Sequence, residues 1–259
     1  MPMPILFVSH GSPDIALQTQ APTLACWQQL GEYLERPKAI LVVSAHWETS
    51  TPTFSTTPQP KTIYDFGGFP APLYRLSYPA AGAPELASQL QTAFTQANLP
   101  LKTDTQRGLD HGAWIPLLSL FPAADIPVAQ LSIQTQAGPA WHLKLGQALQ
   151  SLRTAGVLIL ASGAVTHNFA WLSPTAEPWP AALEFSNWLA DKLQARAQEE
   201  LITYRTTAPY GSAAHPTEEH ILPLFVAFGA SIRTDRLKRF TPEVTYSALV
   251  MDAYLWETE

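Results

Sequence analysis

The sequence predicts an α/β fold, a single domain with a mainly parallel central sheet flanked by helices and a functional site at the carboxyl ends of the strands. Three observations lead there. Four short, continuously apolar runs are each bounded by Gly, Pro or Ser, helix-period stretches lie between them, and two of the runs end on a serine closely followed by a histidine. Strands covered on both faces, as in a parallel sheet, read as unbroken apolar runs rather than as alternation. Strand and helix alternating along the chain is the pattern of a layered α/β domain.

The elements follow in order. The strands are "PILFVS" (4 to 9), "AILVVSA" (39 to 45), "VAQLSI" (128 to 133) and "GVLILAS" (156 to 162). The intervening helices are "TLACWQQLGEYLE" (23 to 35), "PELASQLQTAFTQA" (84 to 97), "WIPLLSLF" (114 to 121) and "PAWHLKLGQALQSLR" (139 to 153), two of them opening on the proline that suits a first helical turn. Beyond the fourth strand, residues 178 to 198 and 217 to 230 have helical periodicity, and "YSALVMDAYLW" (246 to 256) reads as a closing strand. Residues 48 to 83 are proline-rich and aperiodic, the mark of a long functional loop. No repeat or composition break divides the 259 residues, a length often met as one α/β domain, so residues 1 to 259 are read as one unit.

Composition narrows the partners. Fifteen Lys and Arg against 21 Asp and Glu leave a net charge of -6, which offers no electrostatic footprint for nucleic acid or an anionic membrane. No apolar run approaches the length of a membrane span, and the opening "MPMPILFVSHG" lacks a basic start and a small-residue cleavage site, so a cytoplasmic protein acting on a small molecule is expected. The one cysteine, Cys26, lies in a helical stretch and reads as an inert core residue, because neither a disulfide framework nor a thiolate cluster can be built from it.

Ligands of open α/β sheets bind beyond the carboxyl ends of the strands. His10 and His46 stand at two such ends, and His167 follows a third by five residues. Three strands thus bring imidazoles to one rim, and neutral imidazole is a common ligand for Zn, Fe and Cu. The third ligand is open among His220, His215, Glu219 and Glu48. In "HPTEEH" (215 to 220), Pro216 and Thr217 read as the start of a helix with Thr217 as N-cap. A spacing of five residues would put His215 and His220 roughly 140° apart on such a helix, so one of them at most joins the first set. His111 sits beside Gly112 and beside Asp110, a residue suited to orienting an imidazole, while His142 belongs to a leucine-spaced helix face and reads as packing. Tyr64, Phe66, Phe69 and Tyr74 surround Gly67 and Gly68 in the long loop; they suit covering an aromatic ring, or fastening the loop to the core.

The motifs "HGSP" (10 to 13), "SAHW" (44 to 47), "IYDFGGFP" (63 to 70), "DHGAW" (110 to 114), "PVAQLSI" (127 to 133), "ASGAVTHN" (161 to 168) and "PTEEH" (216 to 220) together resemble the 4,5-DOPA extradiol dioxygenase type of the class III ring-cleaving dioxygenases, related to the catalytic subunit of protocatechuate 4,5-dioxygenase. They run in order along nearly the whole chain. The resemblance implies metal ligation by His10, His46 and His220, an active-site base at His167 and a second acid/base histidine at His111. It leaves His215, with Tyr64 and Phe69, as substrate contacts. It further implies Fe(II) for activity, a catechol such as DOPA and dioxygen as substrates, and a muconic semialdehyde-type product. Three neutral nitrogens also suit Zn(II) as the bound metal. A zinc hydrolase on the same histidines and a non-enzymatic binding module are the competing readings.

Overall fold

The computed structural model describes residues 1–174 and 177–258. Its strands are β1 (Ile5–Ser9), β2 (Ala39–Ser44), β3 (Thr53–Ser55), β4 (Lys102–Asp104), β5 (Val128–Gln130), β6 (Val157–Gly163), β7 (Asp235–Phe240), β8 (Val244–Thr245), β9 (Leu249–Val250) and β10 (Ala253–Thr258). Its helices are α1 (Pro22–Tyr33), α2 (Ala87–Gln96), α3 (His111–Leu120), α4 (Gly138–Thr154), α5 (Pro180–Gln194), the short α6 (Gln198–Ile202), α7 (Tyr204–Thr207) and α8 (Gly211–Ala214), and α9 (Leu222–Ala230).

Six of these strands form the central sheet in the order β5-β2-β6-β1-β10-β7. The first four run parallel, and β10 and β7 close one side antiparallel, so the sheet is mainly parallel as expected. Alternate residues of each strand leave opposite faces. Ile5, Phe7, Leu41, Val43, Ile159 and Ala161 pack into one core with α2, α4, α5 and α9, whereas Leu6, Val8, Ile40, Val42, Leu158 and Leu160 pack into a second with α1 and α3. Both faces are therefore covered, which is why the strands read as continuous apolar runs. Among the described residues, no helix is long and apolar enough to cross a membrane. Cys26 lies half-buried on α1 at the margin of the second core, and burial raises its thiol pKa, as an inert residue requires.

Several boundaries differ from expectation for local reasons. The expected strand at 128 to 133 ends at Gln130, after which Leu131 and Ile133 make only isolated bridges. The expected closing strand from 246 reduces to β10, because Tyr246 and Ser247 take positive φ and turn the chain into the β8–β9 hairpin. The helix expected from 217 begins only at Leu222; Thr217 is no N-cap, its hydroxyl instead meeting Glu219, and His220 lies in the turn before the helix. The edge strand β7, "DRLKRF", has no apolar run to announce it, in keeping with the charged residues that guard sheet edges.

At the amino ends of the strands, the buried guanidinium of Arg153 joins α4 to two others. It bonds both carboxylate oxygens of Asp235 at 2.8 and 2.9 Å and the Met3 carbonyl at 2.8 Å. Arg153→Ala leaves Asp235 without its counter-charge in the interior and should lower unfolding stability by about 3–5 kcal/mol. Urea denaturation measures the loss, and metal retention by the folded variant should be unchanged, because the pair lies at the opposite end of the strands from the histidines.

Candidate active site

At the carboxyl ends of the parallel strands lies a cavity of about 470 Å³ lined by five of the seven histidines, His10, His46, His111, His167 and His220. Register explains the convergence. Ser9 is level with Gly163, and Ser44 with Ser162, so the chain leaves β1, β2 and β6 at one height. His10 follows β1 directly, with its amide donating to the Gly163 carbonyl at 2.9 Å. His220 arrives from the turn before α9, where its carbonyl accepts the Ala164 amide at 2.8 Å. That approach needs Gly163, since a Cβ there would stand 2.1 Å from the His220 carbonyl oxygen.

Hydrogen bonding sets the tautomers. Ser162 donates its single hydroxyl proton to the Gly112 carbonyl, so at 3.0 Å it must accept from His10 Nδ1. His10 Nε2 therefore carries a lone pair, and it faces His46 Nε2 at 3.0 Å. His220 Nδ1 lies 3.1 Å from Glu219 Oε1, a carboxylate that can only accept, which again leaves Nε2 free. His46 Nδ1 lies 3.7 Å from Asp65 Oδ2. Ligand nitrogens of His10, His46 and His220 all come within 4.8 Å of one another. A divalent cation suits this set: the donors are neutral imidazole nitrogens, and the opposite nitrogens of His10 and His220 are oriented by Ser162 and Glu219.

Electrostatics agree. Burial first, and the neighbouring imidazoles second, push His10 and His220 well below the ordinary histidine range, and burial with His111 brings His46 to about 4 despite the opposing Asp110 and Asp65 charges. The cluster is thus neutral at pH 7. Burial, and then the proximity of His111, also lower the His167 pKa, against Glu219, whose Oε1 is 3.8 Å from His167 Nδ1. The His167 ring stacks on His220 with centroids 3.5 Å apart.

A carboxylate that sequence reasoning passed over orients His111. Asp65 accepts the His111 backbone amide at 2.9 Å, and His111 Nδ1 lies 3.0 Å from the same oxygen, off the line of a hydrogen bond. Although burial alone would raise it, Asp65 is brought to about 2 by His111 and then His46. Its signal was an acid inside the aromatic motif "IYDFGGFP". Asp110, the expected orienting residue, instead caps α3 and gathers Ser44, Arg107 and Gln130. Through that network it fixes the His46 turn, since Ser44 Oγ accepts the His46 amide and Arg107 donates to the His46 carbonyl.

The other candidates separate. Phe66 and Phe69 line the cavity, with Phe66 edge-on to His111. Tyr64 does not; its hydroxyl donates to the Leu76 carbonyl and fastens the loop. His215 also lies outside the cavity wall, buried against Phe185 and Tyr204, and its Nε2 holds the Val165 carbonyl at 2.8 Å, so it braces the segment carrying His167. Glu48 is exposed and pairs with Thr135. His142 is buried, donating from Nδ1 to the Gly138 carbonyl and accepting the Gln134 amide at Nε2.

Two predictions follow from this arrangement. His220→Ala should abolish retention of Fe(II) or Zn(II) in elemental analysis, and Gly163→Ala should weaken it by pushing a methyl into the His220 carbonyl. Burial holds His142 at about 4 and His215 at about 3, below the ordinary 6.5. The unfolded chain then binds the extra protons, so stability is full above pH 6.5 and falls as pH drops toward 4, by about 1.4 kcal/mol per pH unit for each group. Denaturation of metal-free protein from pH 7 to 4.5 measures this slope, and His142→Gln should make it shallower.

A family model described as the catalytic LigB subunit of aromatic ring-opening dioxygenase matches residues 3–252. A 4,5-DOPA dioxygenase extradiol of Beta vulgaris is 45% identical over 232 residues, covering 87% of this chain and 85% of the relative. A protein of the same name from Escherichia coli (strain K12) is 41% identical over 234 residues, covering 88% and 85%. The crystal structure of an uncharacterized protein from Escherichia coli K12 superposes with a TM-score of 0.80 at 32% identity, covering 98% of this chain and 99% of that one. With its histidines gathered at one rim and nearly all of its length matched, the chain belongs to the family of the catalytic LigB subunit of aromatic ring-opening dioxygenase.

Proposed function

We propose that the protein is an extradiol dioxygenase that opens the ring of a catechol, DOPA or a similar 3,4-dihydroxyphenyl compound, with dioxygen, and that His10, His46 and His220 hold its metal. The observation that carries this reading is the convergence of those three imidazoles at one end of a largely apolar cavity, with His111 and His167 beside them. Fe(II) held there would supply orientation of the catechol, Lewis acidity and redox chemistry toward dioxygen, the last of which Zn(II) on the same nitrogens would lack.

The remaining chemistry belongs to the side chains. His167 is neutral at pH 7 and lines the cavity; with its Nδ1 turned toward Glu219, Nε2 is left to take a proton from a catechol hydroxyl and later return it. His111, held by Asp65 on the other flank of His46, is placed to act as the second acid/base group. Phe66 and Phe69 cover the aromatic ring and keep water from it. Family membership favours this reading over hydrolysis or simple binding.

Protein reconstituted anaerobically with Fe(II) should consume oxygen when given a catechol and form a product with new visible absorbance, while the Zn(II)-loaded form should not. His167→Ala should keep its metal and lose about 10²–10⁴-fold in turnover, the range for a positioned acid/base group. Absence of oxygen uptake across a panel of simple catechols would overturn the proposal.

A further inference from the structure

The cavity wall formed by residues 12–13 and 246–251 has a chemistry of its own. Leu249, Val250 and Met251 make most of it apolar, and Tyr246 supplies a phenol. Tyr246 donates its proton to Asp14 Oδ2, and Ser12, also on the cavity wall, stands against the same hydroxyl, which leaves the phenol oxygen an acceptor with a carboxylate behind it. Among the described residues, Asp14 Oδ1 is buried without a hydrogen-bond partner, and the one further bond to this carboxylate is a long one of 3.4 Å from Gln18 to Oδ2. The Asp14 hydrogen bond and burial push the Tyr246 pKa up to about 12, so the phenol keeps its proton.

The backbone is bent to present this group. Tyr246 and Ser247 have φ of +49° and +65°, unusual for two successive side-chain-bearing residues. Bonds from Ser173 to the Tyr246 carbonyl and from Trp179 to the Ser247 carbonyl, at 3.0 and 2.7 Å, hold the turn. No lysine or arginine is among the described residues lining the cavity, so a substrate carboxylate would find neither a cation nor a donor with charge at this wall.

We infer that the Tyr246–Asp14 pair reads the ring substituent of the substrate, accepting a hydrogen bond from a cationic amine on the catechol side chain and disfavouring a carboxylate at the same place. The preferred substrate class is then catechols whose side chain carries an amine, with or without a carboxylate, rather than catecholic acids that lack one. This rests on the catechol dioxygenase reading above. Asp14 acts through Tyr246 and is a positioning residue; Tyr246 is the group that meets the substituent.

Three ligands of similar size test it: dopamine, 3-(3,4-dihydroxyphenyl)propanoate and 4-ethylcatechol as uncharged reference. Binding is measured by calorimetry under nitrogen on Zn(II)-loaded protein, and turnover by oxygen uptake on Fe(II)-loaded protein. The amine should bind about tenfold or more tightly than the acid, as loss of one hydrogen bond to a charged group implies. Tyr246→Phe and, separately, the isosteric Asp14→Asn should each shrink the amine-to-acid ratio several-fold. Because the ratio is taken within each variant, a reduced folded fraction cancels, and either variant alone suffices. An acid bound as tightly as the amine, or variants that weaken all three ligands by one factor, would overturn the inference. Amine preference without oxygen uptake on any of the three would support the pair and overturn the dioxygenase reading instead.

Discussion

Two imidazole nitrogens 3.0 Å apart, His10 Nε2 and His46 Nε2, are the constraint on which the rest of the site depends. The donor chain from His10 through Ser162 to the Gly112 carbonyl leaves His10 no proton to place between them. What lies between them is therefore either the Nε2 proton of a neutral His46 or a cation that both nitrogens ligate. An added proton is disfavoured, because burial and the crowd of neighbouring imidazoles push these groups below the ordinary histidine range. At neutral pH the imidazoles are thus in the unprotonated state that a metal ion requires, before any substrate enters.

Holding this arrangement takes rigid supports on every side. The serines at the strand ends have separate tasks that their shared position conceals. Ser9 Oγ accepts the Val165 amide and steadies the segment leading to His167; Ser44 Oγ accepts the His46 amide and donates to Asp110; Ser162 sets the His10 tautomer. Buried Asp110 then ties β2, α3 and β5 together through Ser44, its own helix cap and Gln130. On the far side, His215 fastens Val165 while Glu219 orients His220. Each of the three imidazoles is thus positioned by a different element, and a shift in any one of them moves a nitrogen out of reach of the other two.

The fold was legible because its strands are buried on both faces, a situation that writes itself as unbroken apolarity in "PILFVS", "AILVVSA" and "GVLILAS". The edge strand β7 was not, since solvent and charge at a sheet edge erase that signature. His10 and His46 were legible because a strand end is a fixed address. His220 was harder: its place is set by a turn lying on Gly163, a close approach between residues distant in sequence that no local periodicity records. For the same reason His215 resembled a site residue through its "HP" context, while its ring is spent on bracing a backbone carbonyl. Asp65 and the Tyr246–Asp14 pair escaped notice because their partners are known only once the chain has folded.

That distance along the chain has an energetic consequence. His10 follows the first strand, which must pair with both β6 and β10, and His220 reaches it from the turn before α9, so the three nitrogens meet only after nearly the whole sheet has assembled. An unfolded chain presents no comparable site, and a metal that binds the native state alone stabilises it by RT ln(1 + [M]/Kd). Without metal, the same imidazoles are buried and neutral, and protonating any one of them sets it against the others. One set of residues thus sets both metal affinity and the metal-dependent part of folding stability, so a bound metal steadies packing that touches none of the three imidazoles.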